Sequence, residues 1–154
     1  IFGFRSWQIA DNLLYPASIT AWEEGDDTEL TKISITKSEL HWNKGINYSY
    51  CIQGSEWLAG SPHRDHHCGF NAFYDFQRLL ESGYNKPDRV IGAIAGAGRV
   101  ELHRQGFRSE QAQIIALLAN LNFDQRVVSQ NYEVPIFYDQ NDFLAFVKSL
   151  DSNN

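Results

Sequence analysis

The sequence predicts an α+β domain with a mainly antiparallel or barrel-like sheet and about three helices. Three observations carry that expectation. A chain of 154 residues with 43% hydrophobic content is the size of one globular domain that buries a core without staples. Trp7, Trp22, Trp42 and Trp57 all precede residue 60, so the N-terminal half is expected to pack bulky rings. Finally, strand-like segments group early and helical spacings enter later, unlike the regular alternation of a parallel sheet. Residues 1–150 are expected as one domain and 151–154 as a frayed tail.

Phe4 to Ile9 reads as a strand, Asp11-Asn12 as a turn, and Leu13-Leu14-Tyr15 as a second short strand stopped by Pro16. Glu23-Glu24-Gly25-Asp26-Asp27 reads as a solvated turn, because it lacks the ligand spacing and closing glutamate of a calcium loop. Lys32 to Thr36 and Ile46 to Gln53 are rich in β-formers, and Gly54 to His67 is a polar loop. Phe70, Phe73, Tyr74, Phe76 and Leu80 recur at three- and four-residue steps, predicting a helix closed by Gly83. After a turn at Asn85-Lys86-Pro87-Asp88, Val90 to Leu102 is the strongest strand. Its Gly92, Gly96 and Gly98 lie inside an apolar run rather than between a strand and a helix, so they predict a bulge, bend or hairpin instead of a phosphate loop. Ser109 is expected to open a second helix with Ala112, Ile115, Ala116 and Leu118 inward, ended by Asn120 or Asn122. Val127-Val128 and Val134 to Phe137 read as β structure. Asp139 caps a last helix through Phe143, Phe146, Val147 and Leu150, with Asp142 in its first turn.

Composition removes several function classes. A net charge of -6 and scattered basic residues argue against a nucleic-acid surface, which depends on clustered Lys and Arg. No apolar run reaches the roughly 20 residues of a membrane helix, and no charged leader precedes an apolar stretch. A soluble, cytoplasmic protein is expected. The lack of methionine, with Ile1 first, reads as a segment cut from a longer chain or trimmed. Two cysteines in a domain of this length do not make a disulfide scaffold.

The densest chemistry is His63-Arg64-Asp65-His66-His67-Cys68, which holds three of the five histidines and one of the two cysteines. Zinc takes four nitrogen or sulfur donors at about 2.0 to 2.3 Å. In an extended chain His66 and Cys68 point the same way and His67 the other, so alternation selects His66-x-Cys68, with His67 the alternative donor. Adding His63 and Cys51 gives a candidate set of Cys51, His63, His66 and Cys68, with Asp65 or Asp75 available to orient a histidine. Taken alone, Cys51 in its strand-like run is an ordinary small apolar residue. A competing reading makes Cys68 a nucleophile near the first turn of a helix, where the dipole favours thiolate, with His103 or a neighbouring histidine as base. A cysteine, then a helix, then a strand histidine resembles papain-like cysteine hydrolases in outline, without that family's residues around the cysteine. Arg108, beside the expected helix start at Ser109-Glu110, is a candidate anion holder; its plainer role is to pair with an acidic residue and anchor the turn.

Gly3-Phe4-Arg5-Ser6-Trp7, Trp42-x2-Gly45-x5-Cys51, His63-x4-Cys68-Gly69-Phe70-x-Ala72 and Gly106-Phe107-Arg108-Ser109-Glu110 together resemble an uncharacterised group of small bacterial and phage proteins. The resemblance spans most of the chain. It implies that a Cys-x-Cys-Gly segment stands where this chain has His66-His67-Cys68-Gly69, which makes His66 the counterpart of a cysteine, an exchange a zinc position tolerates. It implies no reaction. The expected function is a zinc-stabilised binding or regulatory module, alone or within a larger protein, whose partner is another protein or a neighbouring domain. The alternatives are a cysteine-dependent hydrolase or transferase using Cys68, and a metal-free protein-interaction domain with surface aromatics as its contact surface.

Overall fold

The computed structural model describes residues 1–16, 41–49, 51–53, 56–58, 61–62, 68–120 and 123–152, the segments 51–53 and 56–58 by their backbone. Among these, seven strands form one mixed, mostly antiparallel sheet: β1 (Phe2–Ala10), β2 (Leu13–Pro16), β3 (Ile46–Tyr48), β6 (Phe70–Phe73), β7 (Arg89–Leu102), β8 (Gly106–Leu118) and β9 (Ile136–Phe137). A separate hairpin pairs β4 (Cys51–Gln53) with β5 (Glu56–Leu58). The three helices among the described residues are α1 (Phe76–Glu81), α2 (Gln125–Tyr132) and α3 (Gln140–Ser152). The α+β class expected from the sequence is therefore the one observed, in its antiparallel form. The acidic turn at 23–27 and the strand expected over 32–36 lie outside the described residues.

The sheet is organised by the β7–β8 hairpin, since β1 pairs along β7 while β6, β3 and β9 pair along β8. The β8–β9 pairing is parallel and the rest of the ladder antiparallel. Asp11 and Asn12 take φ of 53° and 59°, the pair of positive values that a two-residue hairpin turn demands, which is why this dipeptide joins β1 to β2. In β7 the register slips between Ala97 and Val100, and Gly98 takes φ +73° there, as its glycines anticipated.

Apolar side chains alternate between two clusters. Trp7, Trp42, Val90, Ile94, Ile114 and Leu117 join Val128 and Tyr132 of α2 in the first. Phe4, Ala93 and Ala116 join Phe76 and Leu79 of α1 and Phe143 and Val147 of α3 in the second. Phe143 is the hub of the latter, with ring centroids 5.9 Å from Phe4, 5.8 Å from Phe76 and 6.1 Å from Phe137. Arg5 lies half-buried beside the first cluster, its guanidinium carbon 4.7 Å from the Trp42 ring and 5.5 Å from Trp7. Desolvation lowers its pKa to about 10, against an opposing effect of Tyr84.

Four expected elements are corrected. The helix expected from Ser109 is the strand β8. A bulge is the reason: Ala93 pairs with Ala116 but Ile94 with Ile114, so Ile115 is an extra residue. Ile115 and Ala116 both pack against the second cluster while Ile114 and Leu117 belong to the first, and that broken alternation imitates a helical stripe. The single helix expected over 70–80 splits into β6 and α1, because the Asp75 carboxylate caps α1 by accepting from the Gln77 N–H at 3.0 Å. Val127-Val128 lie within α2, capped by Asp124, rather than in a strand. Residues 54–67, expected as a loop throughout, contain β5. Asp139 does cap α3, accepting from the Asp142 N–H at 3.0 Å, and the helix runs on to Ser152, so the first two residues of the expected tail are helical.

Candidate functional site

The β7–β8 hairpin closes through the His103 N–H, which donates to the Gly106 carbonyl at 2.8 Å. Its register sets Glu101 opposite Arg108, a cross-strand pair of opposite charge. Two residues on, His103 returns to the face of Glu101 because strand side chains alternate. Three polar side chains thus converge at the end of the hairpin. Arg108 Nη2 donates to Glu101 Oε1 at 2.7 Å and Nε to His103 Nε2 at 3.3 Å, while His103 Nε2 lies 3.0 Å from the same carboxylate oxygen. A single ring nitrogen faces both a donor and an acceptor, and it can serve only one of them at a time: without a proton it accepts from Arg108, with one it donates to Glu101. Arg108 is buried, with 10% of its side chain exposed, whereas His103 is half open at 47%.

Arg108 also reaches Cys68, whose carbonyl accepts from Nη1 at 3.5 Å. Cys68 is partly buried. Gly69, at φ +101°, turns the chain from Cys68 into β6, and a Cβ there would lie 3.1 Å from that of Pro62 and 3.3 Å from that of Arg108. Glycine at 69 thus lets this corner close over β8.

β6 and β3 pair with successive stretches of β8. Phe70 pairs with Ser109, the Ser49 N–H donates to the Glu110 carbonyl at 2.8 Å, and Tyr48 pairs with Gln111. The Ser49 hydroxyl doubles the anchor, donating to the carbonyls of Ser109 at 3.3 Å and Glu110 at 3.0 Å. The chain therefore leaves β8 at residue 49 and returns to it at residue 70, at neighbouring positions. Asn47 stiffens the approach: it is buried, its Oδ1 accepts from the Asn43 N–H at 2.8 Å, and its Nδ2 donates to the Asn43 carbonyl at 3.0 Å. The stretch between the anchors holds both cysteines and the histidine cluster.

Of the residues singled out in the sequence, Cys68, His103 and Arg108 meet at this corner. Cys51 is the first residue of β4, opposite Leu58, and its side chain lies outside the described residues, as do His63, Asp65, His66 and His67. Asp75 is occupied as the cap of α1. Two chemical expectations fall. Cys68 is followed by a strand and α1 begins only at Phe76, so Cys68 does not stand at the helix start that was expected to favour its thiolate. Arg108 lies within a strand instead of beside a helix start, and its guanidinium is engaged by Glu101, the plainer of its two expected roles. Glu101 is the residue that sequence reasoning missed. Its signal was a hairpin symmetric about residues 104 and 105, which pairs 101 with 108 and was hidden by the helix expected at Ser109.

Among the described residues no group of three or more His, Cys, Asp or Glu side chains gathers as a metal site, and no helix is long and apolar enough to cross a membrane. Compared with family models, curated proteins and solved structures, the chain finds no match.

Proposed function

We propose that residues 49–70 form a zinc-organised loop on an α+β scaffold, with Cys51, His63, His66 and Cys68 as ligands, and that the protein is a binding or regulatory module acting in the reducing cytoplasm on a protein partner or neighbouring domain. The observation that supports this reading is the double anchorage on β8. Cys51 is two residues inside the Ser49 anchor and Cys68 two residues inside the Phe70 anchor, so each cysteine Cα is within about 7 Å of its anchor at strand rise. The anchors themselves are neighbours. An excursion closed in this way gains from an internal cross-link, because a bound ion offsets the ordering entropy of its polar run from Gly60 to His67. The exchange of cysteine for histidine at position 66 implied by the sequence resemblance agrees with a zinc position. A strong chelator should lower the melting temperature and open residues 49–70 to protease; unchanged melting and cleavage in chelator would remove this reading.

One observation favours thiol chemistry as a second reading. Arg108 connects the Cys68 carbonyl to the His103 imidazole, with Glu101 on the same ring nitrogen, so the backbone of the candidate nucleophile and the ring of the candidate base border one guanidinium. Rapid alkylation of Cys68 near neutral pH that slows in His103→Ala is the expected sign, and an ordinary thiol rate counts against it.

A further inference from the structure

Three arginines are drawn into the interior among the described residues, and two of them are compensated. Arg108 is paired with a carboxylate. Arg5 is covered by two indole rings and donates from Nη1 to the Asn71 carbonyl at 3.3 Å. Arg89 has neither kind of partner. It is 7% exposed, its Nε and Nη1 are buried without a hydrogen-bond partner, and no carboxylate or ring among the described residues engages the guanidinium.

The side chain is not on a loose loop. The Arg89 N–H donates to the Lys86 carbonyl at 3.0 Å, the Asn120 amide donates to the Arg89 carbonyl at 2.6 Å, and Gln8 of β1 stands opposite in register. Asp88 precedes it in sequence yet makes no pair with it. A buried cation held in this manner carries a desolvation cost that hydrogen bonds to neutral groups do not remove.

We propose that Arg89 anchors a binding site for a small oxyanion, a carboxylate or phosphate group, at the corner where β7 begins beside Gln8 and Asn120. Guanidinium is the side-chain cation whose fixed donors match such oxygens. Lys86, exposed in the adjoining turn, is the nearest further cation in the chain. The net charge of -6 repels anions from the molecule at large and Asp88 offsets Lys86 locally, so binding here depends on the Arg89 guanidinium.

The test is thermal melting of the full chain in potassium phosphate and in potassium acetate, each against potassium chloride at matched ionic strength, for the wild type and Arg89→Met. The wild type should show a saturable rise, roughly 3 °C at about ten times the dissociation constant, that Arg89→Met lacks. A rise in phosphate alone assigns a phosphate group and one in acetate alone a carboxylate. Equal, unsaturated rises in both proteins report only solute exclusion from the surface and overturn the proposal, as does the absence of any oxyanion-specific rise in the wild type. Should Arg89→Met fail to fold, the Arg89 Nε–H resonance of the wild type decides: it moves on titration with one of the two anions, or the proposal is wrong.

Discussion

Arg108 carries more of the local structure than any other polar side chain at the candidate site, and its environment sets the size of its effect. Its partner Glu101 is 28% exposed and Arg108 only 10%, so Glu101→Gln leaves a largely buried guanidinium short of its counter-charge. That substitution is expected to cost about 1–3 kcal/mol. The pair Lys44–Glu133, 3.2 Å apart but 57% and 66% exposed, is the control, and Lys44→Ala should cost less than about 0.5 kcal/mol. Urea unfolding at constant m-value measures both. Equal costs would show that burial does not govern these pairs. None of this was visible from residue type alone, because Glu101 and Arg108 are seven residues apart and meet only through the hairpin register.

At the scale of elements, Tyr132 shows how a helix is fastened to strands. Its hydroxyl accepts from the Leu14 N–H at 2.6 Å and donates to the Trp42 carbonyl at 3.0 Å, tying α2 to β2 and to the segment before β3. Burial pushes its pKa up to about 12 from 10, even though the Leu14 N–H favours the phenolate. The folded state thus holds this proton more tightly than the unfolded state. Its contribution is complete below pH 10 and is lost as pH rises from 10 towards 12. Tyr132→Phe should cost about 1–3 kcal/mol at neutral pH, by leaving a buried N–H and a carbonyl unpaired, and should flatten the alkaline loss. Urea midpoints across that pH range give the answer; parallel alkaline profiles in wild type and variant would refute the assignment. What was legible in the sequence follows the same logic. β1, β2, β7 and α3 were readable because the turn residues Asp11-Asn12, the β-rich run of β7 and the Asp139 cap act locally. β8 was not, because its bulge at Ile115 sets apolar residues at helix-like intervals, and the split of β6 from α1 hung on reading Asp75 as a cap inside an apolar stripe. At the candidate site, the residues carrying chemistry were legible by type; which of them meet was not, since that depends on the path of β8.

The whole molecule divides its work between a doubly covered sheet and one corner. α2 packs into one cluster and α1 with α3 into the other, leaving the end of the β7–β8 hairpin with the anchors of residues 49–70 as the place where histidine, cysteine, arginine and glutamate collect. In the proposed reading, a sheet on which both ends of residues 49–70 are fixed would hold a metal-ordered surface towards a partner. The most direct test is the metal content of untagged wild-type protein beside Cys51→Ser. The account predicts about one zinc per chain in the wild type and almost none in the variant; wild-type protein without zinc, or a variant that keeps it, would contradict the ligand set.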